Sequence, residues 1–285
     1  MKVKYLLLSL VVVLASCGTS RTVPITGRKQ SLMVTDEQML SLSNQEYSKY
    51  MASAKKSADA ANTQMVVRVG KKLASAVETY LKANNMSNEL SGYQWEFNLV
   101  QDKSVNAFCM PGGKIVVYEG LLPVTQNEAS LAVVLGHEIA HAVAKHSAEQ
   151  ISNEYKKQYG VQVLSVLAAG AGVGTDAQQI GSLVVGLGSK AFTSGFSRKQ
   201  ESEADHMGLI FAAMAGYDPQ EAVSFWQRMA SATGGGSNSI FSDHPSDASR
   251  IKNIQGWIPE AMSYYKGGGT TAGTTRSVSV KSLKK

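Results

Sequence analysis

The chain has 285 residues, 44 % of them hydrophobic, and 28 Lys and Arg against 22 Asp and Glu give a formal charge of +6. The excess sits at the ends: residues 1–35 and 261–285 hold five cations each and no acid, so residues 36–260 are net −4. That distribution, with no basic module interleaved with aromatics, excludes a nucleic-acid-binding body, and the roughly 230 residues between the ends suffice for one packed domain.

At the amino end Lys2 and Lys4 precede an apolar run from Tyr5 to Leu14. This is a signal-peptide pattern, too short to span a bilayer as a helix. Leu14-Ala15-Ser16-Cys17 resembles the bacterial lipobox, which implies a signal peptide over 1–16 and lipid attachment to membrane at Cys17. Gly18 offers no aspartate-type retention signal, so the expected location is the outer membrane, facing the periplasm. Residues 17–35 read as a tether. With Cys17 lipidated, Cys109 is left alone, and no internal disulfide is expected; a small buried hydrophobe is its simplest role.

The main domain is expected over 36–265. Asp36 to Ser53 and Asn62 to Leu81 read as amphipathic helices, the second with Met65, Val66, Val69, Leu73, Ala76, Val77 and Leu81 along one side. Tyr93 to Val100 alternates as a strand does, with Tyr93, Trp95, Phe97 and Leu99 on one face. Val105–Cys109 and Lys114–Tyr118 read as two more strands joined by the turn Met110-Pro111-Gly112-Gly113.

Beyond the strands Thr125 and Glu128 form a T-x-x-E capping box ahead of Leu131, Val134 and Leu135, predicting a helix from about Asn127 to Ala148. Within it lies His137-Glu138-Ile139-Ala140-His141, an H-E-x-x-H sequence. Histidines four apart leave one helix face a turn apart and can grip one metal ion, and the intervening Glu138 is placed to take a proton from a metal-bound water. A catalytic zinc normally takes a third protein ligand. A third His ten residues after the first is ruled out by Ser147, and His146, five residues past His141, is expected on a different helix face.

Val161 to Phe192 is nearly uncharged and Gly/Ala-rich, broken at Gly172–Asp176. It reads as a helical hairpin that packs in the core, lids the cleft or rests on membrane. Ser197 and Gln200 then make a second capping box, which puts Glu201 and Asp205 on one helical face and points Glu203 away. Glu201 is the expected third ligand, Glu203 the reserve, and Asp205 the carboxylate that orients a ligand imidazole. Asp218-Pro219-Gln220-Glu221 opens a further helix carrying Val223, Phe225, Trp226 and Met229. After a Gly-rich loop comes His244-Pro245, where the imidazole can either stabilise an oxyanion or occupy the open metal position. Residues 266–285 read as a basic, flexible tail.

Taken together, H-E-x-x-H, E-x-x-x-D sixty residues on, Asn106-Ala107-Phe108 upstream and His244-Pro245 downstream resemble the gluzincin family of membrane-associated endopeptidases. That family includes the CAAX prenyl proteases and the HtpX-type, BepA-like and OMA-type enzymes. The resemblance runs from Pro24 to Trp257. It implies an α+β fold, a mostly helical zinc metallopeptidase with a small sheet beside the H-E-x-x-H helix. It also implies one Zn2+ per chain on His137, His141 and Glu201, Glu138 as the catalytic group, and Asn106, Ala107 and Phe108 as an edge that holds polypeptide substrates extended; His244 stands beside Glu138 as a catalytic candidate from its own setting after the loop. The many membrane spans of the prenyl protease branch have no counterpart here, which argues against prenylated substrates. The expected function is quality control of misfolded or surplus envelope proteins by a zinc endopeptidase; the alternative is an envelope chaperone or adaptor with latent proteolysis.

Overall fold

A computed structural model describes residues 19–168, 195–233 and 249–265. The chain enters on a two-stranded antiparallel hairpin, β1 (Thr19–Thr22) and β2 (Lys29–Leu32). Ile25 and Gly27, both at positive φ, turn the chain between them. Residues 17–35, expected as a tether, therefore hold from Thr19 a folded element. Val23 is buried in the main core, and Gln30 is buried with its amide donating to the Ala144 carbonyl.

Helix α1 (Asp36–Ser53) has the predicted bounds, and Thr35 and Gln38 close a reciprocal capping box at its start. Helix α2 (Ala60–Ala83) begins two residues before the predicted Asn62, because Asp59 caps it by accepting from the Asn62 amide. The three strands β3 (Glu96–Val100), β4 (Ala107–Met110) and β5 (Lys114–Tyr118) form a sheet in the order β3-β5-β4. β5 runs parallel to β3 and antiparallel to β4, which leaves β4 at an edge.

Period-two alternation assigns the sheet two faces. Ile115, Val117, Leu99 and Ala107 join Val66, Val69, Leu73 and Val77 of α2 in the principal core, whereas Val116, Val100 and Met110 pack with Tyr47 of α1. Phe108 follows the second set, edge-on to Tyr50 and Tyr118 at centroid distances of 5.2 and 6.3 Å. Burying a side chain of this kind stabilises the fold by about 1.5–3 kcal/mol, so the sheet is clamped from both sides.

After the short helix α3 (Leu122–Thr125) come α4 (Glu128–Val143) and α5 (His146–Ala168). The single helix expected from Asn127 to Ala148 is two. Lys145 takes a left-handed conformation, φ 54°, that breaks the hydrogen-bond ladder and turns the chain into α5. The predicted cap is also corrected: Thr125 closes α3 by donating to the Leu122 carbonyl, and Asn127 caps α4 by accepting from the Ser130 amide at 2.8 Å.

Helices α6 (Arg198–Met214), α7 (Glu221–Thr233) and α8 (Arg250–Tyr264) complete the described chain. Pro219 lies in the turn before α7, outside the helix it was expected to open. Phe225, Trp226 and Met229 of α7 are buried, as their stripe predicted. Among the described residues no helix is long and apolar enough to cross a membrane. The expected hairpin over 161–192 enters the described residues only as the end of α5; its remainder, with Cys17, His244 and the tail 266–285, lies outside them.

The helix pair α4 and α6 packs most extensively, and two glycines explain how. A Cβ on Gly136 would meet the Gly208 carbonyl oxygen at 2.6 Å, and one on Gly208 would meet the His137 amide nitrogen at 2.6 Å. The two backbones touch beside the first motif histidine, and side chains on either helix can converge there.

Candidate active site

His137 and His141 sit one turn apart on α4, both buried, with ring centroids 4.6 Å apart and Nε2 atoms 3.0 Å apart. Opposite them α6 opens at Ser197, whose capping box with Gln200 is present as predicted, and delivers Glu201 in its first turn. One Glu201 oxygen lies 3.4 Å from His137 Nε2 and the other 3.4 Å from His141 Nε2. Among the described residues these three alone form a buried cluster whose donor atoms all lie within 4.8 Å of one another.

The two distances from Glu201 to the imidazoles fit a zinc ion. Tetrahedral bonds of about 2.0–2.1 Å put neighbouring ligand atoms about 3.4 Å apart, whereas a carboxylate hydrogen-bonded to an imidazole closes to about 2.7–2.9 Å. The donor set itself, two imidazoles and a carboxylate, is one that zinc takes in hydrolytic sites.

Behind the donors, each imidazole is held by its other nitrogen. His137 Nδ1 lies 2.8 Å from Asp205 Oδ1, the contact expected of Asp205. Arg250, the first residue of α8, donates from Nη2 to the same oxygen at 2.6 Å and lays its guanidinium 3.5 Å over the Trp226 ring. Neither Arg250 nor Trp226 was expected at the site. An arginine in an otherwise polar helix start carries no sequence signal that separates it from an exposed cation, and Trp226 reads equally well as plain core.

His141 stacks on Phe196 at 4.0 Å, and its Nδ1 lies 2.8 Å from Nδ1 of His146. The expectation that His146 faces elsewhere fails because it assumed one continuous helix; the break at Lys145 returns it to the site. Glu203 leaves the donor face, as its spacing predicted, and meets His146 instead. It is buried, outside the donor cluster, with Oε2 3.0 Å from His146 Nε2 and 2.8 Å from Arg28 Nε.

Burial alone would lower the His137 pKa, but hydrogen bonds and charges from Asp205 and Glu201 outweigh it and raise the pKa from 6.5 to about 9 in the metal-free protein. His141 moves the other way, pushed well below 6.5 by burial and by its neighbours His137 and His146. Burial raises Glu203, yet bonds from His146, Arg28 and Thr26 prevail and bring it to about 2.

Glu138, between the two histidines in sequence, is buried as they are. Strand β4 packs against α4, and its Cys109 thiol is raised well above its usual pKa by burial and by the Glu138 charge. Along β4 the Tyr118 amide donates to the Asn106 carbonyl. Antiparallel alternation then turns the main-chain groups of Ala107 and Cys109 outward, and no strand pairs with that edge among the described residues. Asn106 Oδ1 accepts from the Ala107 amide, and the Phe108 ring packs toward α1, away from the donor cluster.

The family model described as Peptidase family M48 matches residues 60–258, and the chain belongs to that family. Among curated relatives, the mitochondrial metalloendopeptidase OMA1 of Saccharomyces cerevisiae is 30 % identical over 257 residues, 85 % of this chain and 70 % of that one. OMA1 of Schizosaccharomyces pombe is 39 % identical over 176 residues, 61 % of this chain; the alignment spans about half, 49 %, of that protein's length. The metalloprotease LoiP of Escherichia coli is 33 % identical over 177 residues, 61 % of this chain and 66 % of its own length.

Proposed function

We propose that this chain is a zinc-dependent endopeptidase of the bacterial cell envelope that cuts misfolded or surplus envelope proteins. The observation that carries the peptidase reading is the buried convergence of His137, His141 and Glu201 with Glu138 between the two histidines. A zinc ion held there supplies a Lewis acid that makes water a nucleophile near pH 7 and offsets charge developing on the substrate carbonyl. Glu138 takes the proton from the attacking water and delivers it to the leaving amine. Asp205, fixed by Arg250, orients His137. The outward Ala107 carbonyl and the Cys109 main chain hold the substrate extended, and Asn106, whose Oδ1 already takes the Ala107 amide, closes the start of that edge. His244, outside the described residues, keeps the two roles its sequence setting offers, oxyanion stabiliser or occupant of the open metal position.

The signal-peptide pattern and the Cys17 motif support an envelope setting and a lipid anchor on the outer membrane facing the periplasm. Metabolic labelling with a palmitate analogue, lost in Cys17→Ala, tests the anchor.

The peptidase test compares the chain from residue 19 onward with its Glu138→Gln variant, measuring zinc content and casein cleavage. One zinc in both, with cleavage in the parent alone, is expected. Zinc in both with cleavage in neither would favour a holding protein, and no zinc in either would sink the reading of the site.

A further inference from the structure

We propose that His146 is a positioning residue of the metal centre, and that it ties His141 through Glu203 to the amino-terminal hairpin. The proposal rests on the reading of His137, His141 and Glu201 as zinc donors. It starts from a difference between the two imidazoles. His137 finds a carboxylate behind it, Asp205 at 2.8 Å, the usual device that fixes which ring nitrogen carries the proton. His141 finds another imidazole, with His146 Nδ1 2.8 Å from its own Nδ1.

Hydrogen-bond direction then follows step by step. His141 Nε2 faces Glu201 at 3.4 Å, so this nitrogen is the one that presents a lone pair to a metal. Its proton must sit on Nδ1, and His146 Nδ1 must accept it. The His146 proton is thereby confined to Nε2, which lies 3.0 Å from Glu203 Oε2. Glu203, as a carboxylate, only accepts. It takes further bonds from Thr26 Oγ1 at 2.5 Å and Arg28 Nε at 2.8 Å. Arg28 in turn grips both oxygens of Glu149, at 2.6 and 2.9 Å. Thr26 and Arg28 belong to the segment joining β1 to β2, so the relay runs from the donor cluster to the first folded element of the chain.

Two features separate this from a histidine that merely fills the core. His146 is fully buried with both ring nitrogens bonded, so the ring cannot flip without breaking both contacts. And it reaches His141 only through the left-handed Lys145; on an unbroken helix, five residues of about 100° would leave it some 140° away.

Zinc affinity and imidazole tautomer test the inference on the full folded chain. In the zinc-loaded protein, long-range proton–nitrogen-15 spectra are expected to show the proton on Nδ1 of His141 and on Nε2 of His146. By chelator competition, His146→Leu is expected to bind zinc about 10–100-fold more weakly. His146→Asn, which keeps an acceptor near the Nδ1 position, should recover most of that loss. A His146 proton on Nδ1, a His146→Leu variant that holds zinc as tightly as the parent, or an Asn variant no better than Leu would overturn the inference. Should the Leu variant fail to fold, the spectra of the unsubstituted protein decide. Neither readout is cleavage: a parent that binds zinc with this tautomer but cuts nothing would defeat the peptidase reading and uphold this one.

Discussion

His137 carries a proton in the metal-free protein at pH values where a free imidazole has lost it. Its folded pKa of about 9 exceeds the ordinary 6.5, so its stabilising contribution is complete below about pH 6.5 and is lost as pH rises through about 9. Zinc must displace that proton. Thermal melts in EDTA are therefore expected to show declining stability between those values, while zinc affinity climbs over the same window and levels above it. Arg250 sets the counterpart on the other side of the ring. Arg250→Leu leaves Asp205 buried without its cation, and breaking a buried pair of this kind costs about 3–5 kcal/mol. Urea melts should show the loss, together with zinc binding about 10–100-fold weaker. Asp205→Asn keeps an acceptor for His137 and should cost less than Arg250→Leu. The cluster of His137, His141 and Glu201 was legible because H-E-x-x-H fixes two of its members by spacing alone and a capping box fixes the register of Glu201. Arg250 was not, since its role depends on α8 crossing Trp226, a relation between elements that no local pattern encodes.

Secondary structure was read most securely where a cap or an alternation marked it. Ser197 closes the box expected of it, and the Asp36–Ser53 helix and the Lys114–Tyr118 strand have their predicted bounds. The break at Lys145 escaped because the apolar spacing continues through Val143, Ala144, Ala148 and Ile151 on either side of it. Lysine is also an unusual choice for a left-handed residue, where glycine or asparagine is the ordinary signal. Ion pairs from Lys145 Nζ to Asp36 at 2.7 Å and Glu89 at 2.9 Å help hold it there. The packing of α4 on α6 leads to a sharper expectation. Gly208→Ala forces a methyl group into the His137 backbone, and overpacking a contact between two main chains costs about 1–3 kcal/mol or more. Because the same contact sets the distance from Glu201 to the histidines, bound zinc measured by metal analysis should fall along with stability.

Over the whole molecule, the hairpin is the part that sequence reading underestimated. Its strands are short and polar, without the apolar alternation that marks a strand, and its attachment is made by long charged side chains. Arg21 pairs with Glu89 at 2.8 Å and donates to the Val143 carbonyl, while Arg28 pairs with Glu149 and Glu203. Removing residues up to 35 strips Glu203 of its guanidinium, and a stability loss of about 3–5 kcal/mol is expected from that orphaned charge alone. Arg28→Ala in the intact chain should reproduce most of it in urea melts. Acid sensitivity should follow: the Glu203 contribution persists above about pH 4.5 and fades as pH falls toward its folded pKa of about 2, and in Arg28→Ala, where that pKa is less depressed, the acid-dependent loss should be smaller and end at higher pH.

The edge of β4 offers Ala107 and Cys109 through their backbones, and that has a consequence for what could enter the cleft. Amides and carbonyls are common to every sequence, but in a folded protein they are already spoken for by its own helices and sheets. A site that reads only main chain would choose among clients by thermodynamics, taking each segment in proportion to the time it spends unpaired. When opening is fast relative to cutting, cleavage tracks that open population, so a client destabilised by about 1.4 kcal/mol should be cut about tenfold faster at an unchanged sequence around the scissile bond. A graded series of destabilised variants of one small domain would measure this dependence directly.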